Sequence, residues 1–459
     1  MKRISLLGLS VAVCFFVSIG QSQYIEDSID VGGAWVGSLV YNSREDVIYG
    51  GCQTAGIFFA ISCDSNKVVA SYPLTWPRRV AYDSIDNKVY CAFKGGEGDS
   101  LAVIDGSSHQ VVKKLGMPGA TMPVWDPVGD RVYVSCQNAV RVAVVDCRTD
   151  SLLTYIDVGW TPIKMYLNTL RRKLYVLNYD AGTVSVIDLA TNQVISTVEV
   201  GGFPNAGYYC RRVDKFYCSS PPGSVAVMDG RDDSVVARIP LPDNGEALSM
   251  TGNELTTTVV FGVFSDVGND AYFVSAPNDS VVSVLPVGRE PWGTLFSSTT
   301  GLVYSANTGS NTVTVMAGDG SRVLKTIPVG ADPFVFHALP RHERAYLGHL
   351  GSSKVYVIRD SVTGISEDPA AKRLPPATAA GAPNPFRRSL VIRGCSPDRH
   401  VRVYSSSGRL VKVLSASRAL GSEHSVLWNG CDSDGRPVPP GVYLLDCGIR
   451  GPIKAVKAE

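Results

Sequence analysis

One phrase recurs along this 459-residue chain: Val-Gly-x-x-Pro or a degraded form of it, an apolar alternation, and a tyrosine thirteen residues after the proline. Clean copies are Val158-Gly159-Trp160-Thr161-Pro162 with Tyr175, Val200-Gly201-Gly202-Phe203-Pro204 with Tyr217, Val287-Gly288-Arg289-Glu290-Pro291 with Tyr304, and Val329-Gly330-Ala331-Asp332-Pro333 with Tyr346. Pro77 and Tyr90 keep the spacing after a weaker lead-in. A fixed period of about 42 residues, filled with strand-type alternation, confines the chain to repeat architectures in which each unit is one small sheet.

The fourth unit shows four strands, at 163–168, 173–178, 183–188 and 193–200, separated by polar turns such as Tyr179-Asp180-Ala181-Gly182. Val184, Val186, Val194 and Thr197 supply the β-branched residues that a pleated, half-buried surface favours. Eight units can be counted, their second strands centred on Tyr49, Tyr90, Tyr133, Tyr175, Tyr217, Leu255, Tyr304 and Tyr346. The sixth is irregular, with residues 271–275 as its third strand after an insertion around 266–270. Ser28-Ile29-Asp30-Val31-Gly32 copies Tyr155-Ile156-Asp157-Val158-Gly159, so the segment before Trp35 is the fourth strand of a unit. The last unit supplies 354–359 as its third strand and lacks a clear fourth. The two ends therefore complete one sheet, which closes a ring and removes an exposed edge. The expected fold is all-β: an eight-bladed β-propeller, with seven blades as the alternative.

Leu174-Tyr175-Val176-Leu177-Asn178, Thr183-Val184-Ser185-Val186-Ile187-Asp188 and Thr191-Asn192-Gln193-Val194 resemble the phrase of the YVTN family of β-propellers, over residues 24–362. Seven blades are usual in that family, which is the source of the alternative count.

Residues 1–22 have a basic start, Met1-Lys2-Arg3, an apolar run from Ile4 to Ile19, and small residues at its end, with Ser18-Ile19-Gly20 as cleavage context. That is the pattern of a secretory signal peptide, an uncleaved membrane anchor being the competing reading. Cys14 is a poor lipoprotein site because Val13 stands where a small residue is wanted. No other segment has the length and apolarity of a span. Export to a secreted or outer-cell-surface location is the expectation, and it would permit disulfides among the remaining cysteines. Cys52 with Cys63 and Cys136 with Cys147 share a spacing, but in a hairpin their members fall about 15 Å apart at strand rise. Propeller cysteines are expected as buried small hydrophobes.

From 363 to 385 the composition turns to Ala, Pro, Gly and charge, a linker. Residues 386–459 then alternate as short strands of a small Ig-like sandwich. Pro383-Asn384-Pro385-Phe386, Val403-Tyr404, Ser407-Gly408-Arg409-Leu410-Val411, Trp428-Asn429-Gly430-Cys431-Asp432-Ser433-Asp434-Gly435 and Gly441-Val442-Tyr443 resemble the Ig-like carboxy-terminal sorting domain of type IX secretion cargo. That domain is similar to the one in flagellar hook-capping proteins. The resemblance implies the outer-membrane secretion machinery as a partner. A permanent structural joint in an extracellular assembly is the other role such a domain can play.

With 43 basic against 42 acidic side chains, no electrostatic footprint recommends nucleic acid or an anionic membrane. His337, His342 and His349 fall on a strand, a turn and a strand end, so they point to different places, and no metal or other cofactor is expected. Asp432-Ser433-Asp434-Gly435 opens like a calcium loop but continues Arg436-Pro437-Val438 with no closing acid, which makes it a hairpin turn. No Gly-x-Ser-x-Gly, phosphate loop or Cys-x-x-Cys occurs, and no catalytic residue is nominated. The aromatic placement is less ordinary. Trp35, Trp76, Trp125, Trp160 and Trp292, with Phe203 and Phe334, are assigned to junctions between one unit's outer strand and the next unit's inner strand. In a propeller those junctions surround one mouth of the central channel. Flat rings there can stack on sugar or peptide groups; alternatively they wedge between blades as spacers. The expected function is a secreted or surface non-catalytic binding or structural module, with an extracellular glycan or protein as ligand. A propeller enzyme, a hydrolase or a metal- or quinone-dependent oxidoreductase, is the alternative.

Overall fold

The computed structural model of the protein describes residues 23–95, 98–361, 390–393, 401–405, 410–414, 425–432, 436–439, 441–446 and 453–457. The segments expected as signal peptide (1–22) and linker (363–385) lie outside them, as do Ser433, Asp434 and Gly435. Gln21–Val362 forms one compact unit, and the described residues from Leu390 onward belong to another.

The first unit consists of eight four-stranded antiparallel sheets. Seven are continuous in sequence, within 36–73, 80–116, 120–157, 162–199, 207–240, 246–286 and 291–328. The eighth takes Pro333–Leu339, Arg344–His349 and Lys354–Arg359 and adds Tyr24–Asp30 as its outer strand. This is an eight-bladed propeller, and the seven-bladed alternative falls. Closure is made by register: Tyr24 faces Arg359 and Asp30 faces Lys354 across an antiparallel pair, with one bulge between Ile25 and Asp27. Arg344 adds an ion pair to Glu26, whose carboxyl it holds below the usual range against the opposing effect of burial.

Strand position within a blade follows from side-chain pattern. The second strand of the fourth blade, Lys173–Asn178, is buried at every residue because neighbouring blades cover both faces. The outer strand Gln193–Glu199 alternates exposed and half-buried positions, with one face to water. The core is thus a set of layers between blades: Tyr175, Leu177, Val184 and Val186 of the fourth pack on Phe216, Cys218, Ala226 and Met228 of the fifth.

The repeated tyrosine explains itself here. Its ring is buried in that layer, and its hydroxyl reaches the turn before the next blade's outer strand. Tyr49 meets His109 Nδ1 at 2.6 Å, Tyr90 meets Asp150 at 2.9 Å, Tyr133 meets Asn192 at 2.7 Å, Tyr175 meets Asp233 at 3.4 Å and Tyr217 meets Asp279 at 2.8 Å. Tyr304 reaches Asp360 at 2.6 Å, and Tyr346 reaches Asn66 of the first blade at 2.6 Å. Asn66, His109, Asp150, Asn192, Asp233 and Asp279 all have positive φ, a conformation that short polar side chains tolerate. The turn residue thereby serves both the backbone and the neighbouring blade.

The sixth blade departs from the sequence expectation. Its second strand is Thr258–Phe264, centred on Phe261, and Leu255 is an exposed turn residue. The place of the repeated tyrosine, third in the strand, is taken by Val260, which has no hydroxyl and packs with Val303 and Met316 of the seventh blade, while Phe261 faces the fifth blade beside Tyr217. The thirteen-residue spacing fails there because Pro242 stands four residues before the inner strand Glu246–Asn253 instead of opening it. Residues 269–275 are its third strand.

Cys52, Cys63, Cys91, Cys136, Cys147, Cys210 and Cys218 are buried and unbridged. Cys52 pairs with Ile57 at one end of its hairpin while Cys63 follows the strand's other end. In the second unit, one four-stranded and one two-stranded antiparallel sheet share a core that includes Leu390, Val401, Val403, Trp428 and Leu445. Trp428 Nε1 donates to Cys431 O at 2.9 Å, and Arg436 N donates to Asp432 Oδ1 at 2.9 Å.

Candidate functional site

The inner strands carry a recurrent bulge just after their first residue. In the fourth blade Pro162 faces Asn178 and Lys164 faces Leu177; in the seventh Pro291 faces Asn307 and Gly293 faces Ala306; in the eighth Pro333 faces His349 and Val335 faces Gly348. The extra residues are Ile163, Trp292 and Phe334. A bulge re-aims side chains, and here it places Trp292 and Phe334 along the channel, their ring centroids 6.1 Å apart.

The channel widens here into a cavity of about 190 Å³ lined by Arg79, Lys164, Tyr166, Leu248, Ser249, Met250, Trp292, Thr294, Phe334 and Phe336 among others. Two cations in this space have no hydrogen-bond or ion-pair partner among the described residues: Arg79 and Lys164. Burial pushes the Lys164 ammonium down to about 7, helped by the Arg79 charge and opposed by Glu246. Burial likewise lowers Arg79. Burial raises the carboxyl of Glu246, against the hydrogen bond from Asn205 and the Lys164 charge. Burial pushes the Tyr166 phenol up to about 12, and its oxygen accepts the Gly207 N–H at 3.0 Å. Thr294 Oγ1 is buried beside the cavity without a partner. Such a chamber, with two unsatisfied cations, a free hydroxyl and aromatic walls, is equipped to hold an anionic group.

The expected aromatic ring divides into three groups. Trp35, Trp76, Trp160 and Phe203 do lie in the outer-to-inner junctions, 43%, 42%, 69% and 52% exposed, too open for blade spacers. Trp35 and Trp76 stand 6.4 Å apart, and Phe203 packs 5.2 Å from Tyr179. Both tryptophans hold φ near +60°, at a turn position occupied by Thr161, Glu290 and Asp332 in other blades. Trp292 and Phe334 form the second group, inside the channel. Trp125 is placed elsewhere: it is the penultimate residue of the inner strand Ala120–Asp126, at the opposite end from the junction, and packs against the layer between the second and third blades. Counting from a degraded lead-in displaced it, because the third blade's junction is Met117-Pro118-Gly119.

Sequence reasoning missed Arg79, Lys164, Tyr166 and Thr294. A signal was available: two residues past the proline, where other copies have Ala206, Gly293 and Val335, Arg79 and Lys164 put charge into an inner strand.

The three histidines of the last blade point apart. Burial pushes His337 and His349 down to about 4, and His349 Nδ1 lies 3.1 Å from Lys354 O. His342 Nε2 lies 2.7 Å from Asp46 and joins Asp46 and Asp64 in a group whose ligand atoms fall within 4.8 Å of one another.

No family model matches this chain. A 179-residue stretch is 29% identical to an uncharacterized protein YncE of Salmonella typhi and 28% identical to that of Salmonella typhimurium strain LT2, covering 38% of this chain and 50% of each relative. The chain spans about half the length of the curated relatives it matches. Among solved structures, a chain of the mitotic checkpoint complex matches with a TM-score of 0.54 at 12% identity, over 78% of this chain and 99% of that one. That likeness is one of fold alone. The YncE relatives fit the YVTN-type propeller reading, and these comparisons indicate no enzymatic family.

Proposed function

We propose that this chain is a non-catalytic binding protein that receives an anionic ligand in the propeller channel, at Arg79 and Lys164. The observation that carries this reading is the pair of unpartnered cations between Tyr166, Trp292 and Phe334. A half-buried cation without an ion-pair partner has lost part of its hydration, so an arriving carboxylate, sulfate or phosphate gains a charge-assisted contact where none has to be broken. The exposed rings of Trp35, Trp76, Trp160 and Phe203 surround the same mouth and suit the remainder of a glycan or peptide.

Export and attachment through the carboxy-terminal region complete the reading. The basic start and apolar run of residues 1–22 support export, and the motif run from Pro383 to Tyr443 supports an Ig-like sorting domain. Two small sheets with a shared core are compatible with such a sandwich. A binding screen of acidic glycans and peptides bearing free carboxylates, run on the wild type, Arg79→Ala and Lys164→Met, tests the channel. Loss of binding in both variants without loss of melting temperature is expected; ligands bound equally by all three proteins would end the reading.

A further inference from the structure

On the face opposite the aromatic mouth, the last residue of one blade's inner strand meets the turn residue that precedes the next blade's second strand. Sister junctions fill these two positions with a donor and an acceptor. Asn42 Nδ2 donates to Asn87 Oδ1 at 2.8 Å, Arg172 pairs with Asp126, and Asn168 Nδ2 lies 3.4 Å from Asp214 Oδ1. Between the second and third blades the same positions hold Asp83 and Asp130, two acceptors.

Asp83 is fully buried. Its Oδ1 accepts the N–H groups of Ile85 at 2.8 Å and Asp86 at 3.2 Å, which fixes the carboxylate, while Oδ2 has no partner. Asp130 Oδ1 is likewise buried and unpartnered. The third group is the buried thiol of Cys147, where the sister junctions have Gly106, Leu189 and Gly230. Ligand atoms of Asp83, Asp130 and Cys147 lie within 4.8 Å of one another. The nearest ammonium is spent elsewhere: Lys88 Nζ donates to both oxygens of Asp150, at 3.0 and 2.9 Å, and to Cys147 O at 2.5 Å, which accounts for its three hydrogens. Asp86 Oδ2 lies nearby with no hydrogen-bond partner, 3.8 Å from Lys88 Nζ.

We propose that Asp83, Asp130 and Cys147 bind a divalent transition-metal cation of the zinc class, which joins the second and third blades where sister junctions use a donor and an acceptor. Two carboxylate oxygens with one thiolate suit a borderline cation, whereas calcium and magnesium take oxygen ligands only. Water fills the fourth position, and the half-exposed Asp130 lies on the path of entry. On binding, the S–H bond of Cys147 breaks, a sulfur–metal bond forms and the proton leaves to solvent; nothing is oxidised or reduced.

The test uses the full chain, stripped with a chelator and titrated with cobalt. Wild type is expected to develop a near-ultraviolet thiolate-to-cobalt absorption that Cys147→Ser lacks. Zinc is expected to raise the melting temperature of the stripped wild type. Groups that only hydrogen-bond to a metal ligand alter metal affinity about 10–100-fold, so loss of the sulfur ligand is expected to weaken zinc binding by at least about 10-fold. Asp130→Asn places an amide donor opposite the Asp83 carboxylate, and it is expected to fold with a melting temperature indifferent to zinc. A cobalt–thiolate band that survives in Cys147→Ser would assign the metal to another thiol and overturn the proposal. So would a wild-type melt unchanged by chelator and zinc, which would mean that the two carboxyls share a proton instead.

Discussion

The Asp279 carboxylate of the sixth blade receives the Tyr217 hydroxyl of the fifth at 2.8 Å and the Lys215 ammonium at 2.6 Å. Lys88 and Tyr90 meet Asp150 in the same way, and Lys173 and Tyr175 meet Asp233. Each triad joins a buried second strand to the neighbouring blade's turn, so hydrophobic layers that could slide are pinned by directional bonds.

Tyr217→Phe keeps the ring and the Lys215–Asp279 pair and removes one hydrogen bond to a charged acceptor. The expected loss is about 1–2 kcal/mol. Tyr133→Phe lies two blades away and should add nearly independently in a double variant. Thermal melts check both, and a silent Tyr217→Phe would mean that the layers need no pin. Val260, in the layer against the seventh blade, is the protein's own example of a junction without one.

Removing residues 24–30 leaves the strand Lys354–Arg359 with an open edge and the eighth blade with three strands. Light scattering should show association of the shortened protein. Arg344→Met, which removes the closer of the two ion pairs of Glu26 and leaves Arg359 at 3.8 Å without removing the strand, should lower the melting temperature and leave the protein monomeric.

Trp160 and Trp76 are exposed enough that replacement by Ala should leave the melt unchanged while weakening ligand binding by about 1–3 kcal/mol. Trp125 should behave in the opposite way. It packs between blades, so truncation should destabilise by about 3 kcal/mol, toward the lower end for buried aromatics, and leave affinity intact. Equal melting losses in all three would reduce the junction tryptophans to spacers.

Lys164 gives two opposed pH slopes. Its folded value of about 7 lies below the ordinary lysine value of about 10.4. Between them the unfolded chain holds a proton that the folded one has released, so stability should rise with pH across that window. Below about 7 both states are charged, and the penalty of burying the ammonium is fully present. Affinity for an anion should run the other way, falling as pH rises through about 7. Other groups titrate in this range, so the measurement is the difference between wild type and Lys164→Met, in urea melts and in binding isotherms. Parallel slopes in the two proteins would show that Lys164 stays charged.

The repeat made the fold legible. Pro162 with Tyr175, and its copies, set strand length, register and blade period, and the orphan strand around Ile29 pointed to its partner more than three hundred residues away. Leu255 was misplaced because in the sixth blade Pro242 stands four residues before the inner strand and Val260 takes the place of the tyrosine. The channel was harder to read. Whether Lys164 faces the axis or a neighbouring blade depends on a bulge at Ile163, and a one-residue bulge reverses the parity on which strand reading rests. The exposed rings of Trp76 and Trp160 were visible because they sit in turns, where parity does not matter. The Asp83–Asp130 contact joins two blades, and neither residue is unusual within its own repeat.

Ring closure also sets a clock. The strand Tyr24–Asp30 is made early and cannot pair until Lys354–Arg359 has been synthesised; at about 5–20 residues per second that is a wait of roughly 15–65 seconds. For that interval it is an unpaired strand in company with other nascent chains. Glu26, Asp27 and Asp30 give it a run of like charge, so two such strands from different chains repel rather than zip together. Charge that keeps the first strand single until the last one arrives then serves the closed ring, where Arg344 takes up Glu26.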